Sequence, residues 1–168
     1  TRFADVVKIP EPMLAKTPIN DIIGNCNIFL ETLCTKHGAK LRLKLCEENT
    51  EVNADCILLE QALVNIVKNS AESIGMRKNK EVQGWVEIST EADGTLLVTD
   101  NGIGISSEAK EHLFTPFYSS KPNGQGIGMM IVREILTKHH CTFSLSTDTD
   151  GLTRFRIQFS SSCSTPSV

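Results

Sequence analysis

The sequence predicts an α+β fold: a two-layer sandwich in which a mixed, mostly antiparallel sheet of about five strands is covered on one face by about three helices. Three observations carry this expectation. Long segments place apolar residues at helical spacing, shorter ones alternate apolar and polar residues, and the two kinds do not alternate strictly along the chain. A doubly wound sheet would require that strict alternation.

The opening, Arg2-Phe3 through Pro10-Glu11-Pro12, ends a helical stretch and breaks it with two prolines, which is linker chemistry. Residues 1–16 are therefore expected to be the remnant of a connection to something N-terminal, and residues 17–160 a single domain. Thr17 offers an N-cap, with Pro18 at the first helical position. From Ile19 to about Lys36, the residues Ile22, Ile23, Cys26, Phe29, Leu30 and Leu33 recur at helical spacing, and Gly38 can stop the helix. Lys40 to Cys46 alternates as a strand with one wet and one buried face. A turn is expected over Glu47 to Asn53, after which Asp55 caps a helix from about Cys56 to Met76. Leu59, Leu63, Ile66, Val67, Ser70 and Ile74 form its core stripe.

Lys78 to Gln83 reads as a polar connection. Trp85–Thr90 and Thr95–Thr99 are predicted strands of a hairpin turning through Ala92-Asp93-Gly94. A short helix is expected from Ser106 or Ser107, with Glu108 in its first turn. Ile127 to Lys138 is apolar on most sides, as suits a helix packed deep against a sheet. Thr142–Thr147 and Thr153–Phe159 alternate again around a turn at Asp148 to Gly151, and the serine-rich residues 161–168 are expected to be a flexible tail.

At 168 residues the chain is long enough for one buried core. Its net charge of −3 gives no electrostatic reason to expect nucleic acid or an anionic membrane as a partner. No apolar run approaches the roughly 20 residues that cross a bilayer. The six cysteines lie singly within apolar patterns, which favours reduced, buried thiols over zinc or a disulfide scaffold. His139-His140-Cys141 resembles a metal corner, but adjacent residues rarely converge on one ion.

Two regions carry candidate chemistry. Asn65, Asn69 and Glu72 form one stripe of the long helix, although asparagine is a mediocre helix former. The two asparagines are either surface amides bonded to water or oxygen donors for magnesium, which favours hard ligands. Asp100 ends an apolar strand, just before Asn101-Gly102-Ile103-Gly104. It is either a turn aspartate or a carboxylate at a pocket floor, accepting a hydrogen bond from the exocyclic amine of adenine. Lys121 stands before Gly124-Gln125-Gly126-Ile127-Gly128. That glycine run is neither a dinucleotide fingerprint nor a P-loop, yet it could present helix amides to phosphates.

Taken in order, Asn65-x-x-x-Asn69, Asp100-x-Gly102-x-Gly104, Phe114-x-Pro116-Phe117 and Gly124-x-Gly126-x-Gly128 resemble the N, G1, F and G2 boxes of the catalytic, ATP-binding domain of sensor histidine kinases. That family belongs to the group that includes DNA gyrase, mismatch-repair ATPases and the large heat-shock chaperone. The resemblance runs from about Thr17 to Phe159 and implies a Bergerat-type sandwich. It implies ATP and magnesium as cofactors, with Asn69 the principal metal ligand and Asn65 its helper. Asp100 would hold adenine, with Gly102, Ile103 and Gly104 along that wall, and Glu72 would be a cofactor-binding carboxylate seven residues after Asn65 on the long helix. Phe117 and Lys121 would belong to a mobile lid from Phe114 to Lys121, and Gly124, Gln125, Gly126, Ile127 and Gly128 would receive the phosphates. Asn65, Asn69 and Lys121 are the residues expected to carry catalysis.

Hydrolytic relatives place a glutamate where Asn65 stands, and an amide cannot act as a general base at neutral pH. The resemblance therefore implies transfer of the γ-phosphoryl group to a protein histidine. None of His37, His112, His139 or His140 is followed by the acidic residue that follows the family's phosphoacceptor. Implied partners are thus a separate dimerisation and phosphoacceptor hairpin and a response regulator, in a cytoplasmic or inner-membrane-anchored homodimer of which this chain would be a monomeric part. The lid is short, as in the nitrogen-regulation type. Met129-Met130 replaces a leucine and a small polar residue, and Ser73-Ile74 stands where many relatives carry a lysine and an aromatic. A regulatory module without activity and a hydrolytic ATPase are the competing readings.

Overall fold

The computed structural model describes residues 8–112 and 128–160. Among the described residues, seven strands and four helices follow in the order β1 (Ala15–Pro18), α1 (Ile19–Lys36), β2 (Ala39–Lys44), β3 (Glu51–Ala54), α2 (Cys56–Gly75), β4 (Gly84–Thr90), β5 (Leu96–Asp100), α3 (Ser107–His112), α4 (Gly128–Lys138), β6 (Thr142–Thr147) and β7 (Thr153–Gln158). Five strands form one sheet in the order β2-β4-β5-β7-β6, and β1 pairs with β3 in a separate ribbon. Only β2 and β4 run parallel in the sheet, with Ala39 opposite Gly84. The β4–β5, β5–β7 and β6–β7 pairs are antiparallel. This is the predicted α+β sandwich with a mixed, mostly antiparallel sheet.

The helices cover one face. Ile19, Ile22, Ile23 and Leu30 of α1 join Leu59, Leu63, Ile66, Val67 and Ile74 of α2 in a single core. Val86, Ile88, Val98, Phe155 and Ile157 of the sheet and Val132 and Leu136 of α4 complete it. The opposite face is polar. There the Arg42 guanidinium lies 3.9 Å from the Trp85 ring centroid and bonds Glu87 at 3.2 Å.

Three local expectations need correction. Thr17 does not cap α1: Pro18 holds the N-cap position with no side-chain cap, and the Thr17 hydroxyl donates to Ala15 O at 2.9 Å instead. The turn expected over Glu47 to Asn53 ends early, because Glu51–Ala54 forms β3 against β1. Burying Val52 and Ala54 on one side stabilises that short pairing. Phe29, placed in the core stripe, is 54% exposed. Burial on α1 is centred instead on Ile19, Ile23, Leu30 and Cys34, which turns Phe29 out to the flank.

Asp55 caps α2 as expected, its Oδ1 accepting from Leu58 N at 3.2 Å. Its Oδ2 accepts from Met13 N at 2.9 Å, so the same carboxylate ties down the preceding segment. Burial raises the pKa of Asp55, but these amide donors outweigh it and hold the carboxyl below its ordinary value. The Asp55 amide donates to His139 Nε2 at 3.0 Å, and His139 Nδ1 lies 2.7 Å from Ile135 O. This fixes the tautomer: Nε2 accepts and the Nδ1 hydrogen goes to the carbonyl. His139, 2% exposed, is thus a strut joining the start of α2 to the end of α4. His139→Ala is expected to destabilise the fold by about 2–4 kcal/mol, through a cavity and an orphaned amide. A urea titration measures this as a lower midpoint with an unchanged slope.

The described cysteines are free thiols. Burial, reinforced by the Glu60 and Glu31 carboxylates respectively, pushes Cys26 and Cys34 up to about 11, and burial alone pushes Cys141 to about 12. Protonated at neutral pH, these thiols are packing groups and not nucleophiles.

Candidate functional site

A cavity opens between the helix layer and the sheet, where α2, the ends of β5 and β7, and the start of α4 meet. Apolar side chains from both layers, including Ile66, Val98, Phe155 and Met129, form its base. Set into this apolar surround is the carboxylate of Asp100, only 3% exposed. A buried carboxylate is costly unless donors meet it, so its position at the strand's end is a strong constraint. Gly102 N donates to Asp100 Oδ1 at 2.8 Å, curling the chain back over the carboxylate.

The loop after Asp100 is held amide by amide. Ile103 N donates to Ser73 Oγ on α2 at 3.0 Å, and Ile105 N donates to Thr147 Oγ1 on β6 at 2.8 Å. Asn101 is turned the other way: its Oδ1 accepts from Trp85 N at 2.8 Å and its Nδ2 donates to Gln83 O at 2.9 Å. It latches the loop to the start of β4, while Asp100 lines the cavity. Gly102 is required by proximity, since a Cβ there would stand 2.3 Å from Ser73 Oγ and 2.9 Å from Asp100 Oδ1. Gly104 adopts φ +81°, a conformation that side chains disfavour.

Several of the residues singled out in the sequence meet here. Asn69, Asp100, Ile103 and Gly104 line the cavity together, and Gly102 packs at its edge. Asn65, one helical turn before Asn69, donates from Nδ2 to Gln61 O at 2.9 Å, while its Oδ1 faces the first residue of α4. A Cβ on Gly128 would lie 3.3 Å from that oxygen, so a side chain there would press on the amide. Glu72 is half-buried on α2 and is not among the cavity-lining residues. Phe117, Lys121, Gly124, Gln125, Gly126 and Ile127, with Phe114 and Tyr118, lie outside the described residues. Among the described residues no group of three or more His, Cys, Asp or Glu side chains could hold a metal, so His139, His140 and Cys141 form no such corner.

Sequence reasoning missed Thr147, Thr153 and the latch made by Asn101, and it took Ser73 only as a departure from a pattern. Thr153 lines the cavity and pairs with Asp100 across the β5–β7 register. Hydroxyls on strand ends carry no periodic signal, and only the fold brings them to one place.

The model of the histidine kinase-, DNA gyrase B- and HSP90-like ATPases matches residues 54–162, and the chain belongs to that family. Its relatives place it with the catalytic, ATP-binding domains of sensor histidine kinases. It is 32% identical over 157 residues to the C4-dicarboxylate transport sensor protein DctS of Rhodobacter capsulatus, covering 93% of this chain and 24% of that protein. It is 31% identical over 138 residues to the C4-dicarboxylate transport sensor protein DctB of Rhizobium meliloti (strain 1021), covering 82% of this chain and 22% of that protein. The chain thus spans about a quarter of the length of these relatives or somewhat less. Full-length ShkA, solved in complex with AMPPNP, has the same fold, with a TM-score of 0.72 and 18% identity over 88% of this chain and 31% of that one.

Proposed function

We propose that this chain binds magnesium-ATP and transfers the γ-phosphoryl group to a histidine on a separate helical hairpin, as the kinase domain of a two-component sensor. The observation that carries the reading is the buried Asp100 carboxylate, set in an apolar cavity beneath a loop whose Gly102, Ile103 and Ile105 amides are directed to protein acceptors. An acceptor in that position selects a base edge that offers an N–H. Adenine offers its exocyclic amine there, whereas guanine offers a carbonyl oxygen and is repelled.

The donor set fits magnesium-bound phosphates. Asn65 and Asn69 supply neutral amide oxygens one helical turn apart, which suit a hard cation that keeps phosphate oxygens in its shell. The glycine at the head of α4 fits as well, because a Cβ at Gly128 would crowd Asn65 Oδ1. When bound, the metal would neutralise charge that develops on the transferred phosphoryl group. The protein's own part is positioning. Asp100 anchors the base, and Asn69 faces the cavity from α2. Asn65, being an amide, cannot deprotonate water, which favours a protein acceptor over hydrolysis. Phe117, Lys121 and the glycines from Gly124 to Gly128 complete the proposed phosphate side.

No described helix is long and apolar enough to cross a membrane. Residues 17–160 are proposed as the catalytic unit, with 1–16 as a linker and 161–168 as a tail. A response regulator is the proposed final acceptor. The decisive experiment mixes the chain with a histidine-bearing helical hairpin of the same sensor, magnesium and γ-labelled ATP. Label on the hairpin that is stable to base and lost in acid is expected. Acid-stable label, or released phosphate alone, refutes the transfer.

A further inference from the structure

The loop that follows Asp100 is gripped from two sides by hydroxyls that belong to neither of its own strands. Ser73, on α2, accepts the Ile103 amide, and Thr147, at the end of β6, accepts the Ile105 amide. These two amides alternate with the glycines that let the loop approach so closely. The contacts join segments 30 and 42 residues apart, so they bind together the helix layer, the loop and the edge of the sheet. Thr147 Oγ1 also lies 2.9 Å from Thr153 Oγ1, and Thr153 lines the cavity opposite Asp100.

We propose that Ser73 and Thr147 are positioning residues for the nucleotide base, a pair of hydroxyls that hold the 102–105 loop and thereby fix which atoms Asp100 and Thr153 present to it. The proposal rests on the reading of the cavity as an adenine site. Asp100 Oδ1 accepts the Gly102 amide, so the orientation of the carboxylate is coupled to the place of Gly102. Gly102 is followed at once by the residue that Ser73 holds, and the space for a Cβ between Ser73 and Gly102 is closed. Loosening Ser73 releases the loop on its α2 side, and loosening Thr147 releases it on the β6 side.

Thr147 has a second contact: its oxygen takes the Ile105 N–H and also lies 2.9 Å from Thr153 Oγ1, a pair in which either hydroxyl can donate. Thr147 is exposed to solvent, so water competes for its bonds and the effect of losing it alone is bounded.

The test compares Ser73→Ala, Thr147→Val, the double variant and Thr147→Ser with the unaltered chain, reading magnesium-ATP affinity by calorimetry and Ile103 and Ile105 amide exchange without nucleotide. Each single loss is expected to weaken ATP binding about five- to tenfold, and the double variant more than either. Thr147→Ser, which keeps the hydroxyl, is expected to bind within about twofold of the unaltered chain, and Thr147→Val at unchanged melting temperature separates positioning from stability. Exchange at Ile103 and Ile105 is expected to quicken in the corresponding variants. The proposal is overturned if ATP affinity in the double variant matches the unaltered chain, or if both amides keep their protection. If the unaltered chain itself binds no ATP, the adenine reading fails and the positioning role falls with it; loss of affinity confined to the variants leaves that reading standing.

Discussion

Replacing Asp100 by asparagine is expected to weaken ATP binding by at least about 100-fold, because the exchange reverses a hydrogen bond as well as removing a charge. The Gly102 amide donates to Oδ1 and demands an oxygen there. In Asp100→Asn the amide oxygen therefore stays beneath Gly102, and the new NH2 group is turned to the cavity. It then meets the exocyclic amine of adenine donor to donor. Loss of a charge-assisted bond and the creation of an unpaired buried donor together cost roughly 3–4 kcal/mol, a factor of a few hundred and so above the stated minimum. Calorimetry with magnesium-ATP measures it. Binding at the original affinity would remove Asp100 from the base site. The apo melting temperature serves as the control and is expected to change far less, because size and the Gly102 bond are kept.

The second large effect belongs to Asn69. Asn69→Ala removes the hard-oxygen donor on α2 that lines the cavity. The part of ATP affinity that depends on magnesium should disappear, a loss of about 10- to 100-fold on the scale of lost metal-site partners. The signature is differential: in excess chelator the variant and the unaltered chain should bind ATP alike, and only the unaltered chain should gain when magnesium is added. An equal loss in chelator would assign Asn69 to the base or to folding. This contrast separates a metal ligand from a residue that only fills space.

The strongest sequence signals were those with a period. The span of α1, the cap at Asp55 and the stripe from Leu59 to Ile74 follow from spacing and capping chemistry alone, and all appear in the structure. The two hairpins were legible because turn residues separate alternating runs, and β4–β5 and β6–β7 pair as those turns require. The β1–β3 ribbon was not legible, because its strands are too short to display a period and they pair across the whole of α1 and β2. Phe29 was misplaced for a related reason. A helix stripe tells which residues share a face but not where the neighbouring layer centres its contact.

The candidate site divides in the same way. Asp100, Gly102, Gly104 and Asn69 could be named because turn and helix chemistry makes them unusual where they stand. Ser73, Thr147 and Thr153 could not, since a hydroxyl is ordinary in any helix or strand. Their meaning comes from pairs such as Ile105 with Thr147, which only the folded chain brings within 2.8 Å.

The parallel pairing of β2 with β4 carries a consequence for the order in which this chain folds. A hairpin such as β6–β7 closes within microseconds, but β2 can join β4 only after the intervening segment, with β3 and all of α2, has been drawn into one loop. That loop carries Asn65, Asn69 and Ser73. The cavity exists only once α2 lies opposite the strand carrying Asp100, so a ligand that occupies it stabilises the completed fold.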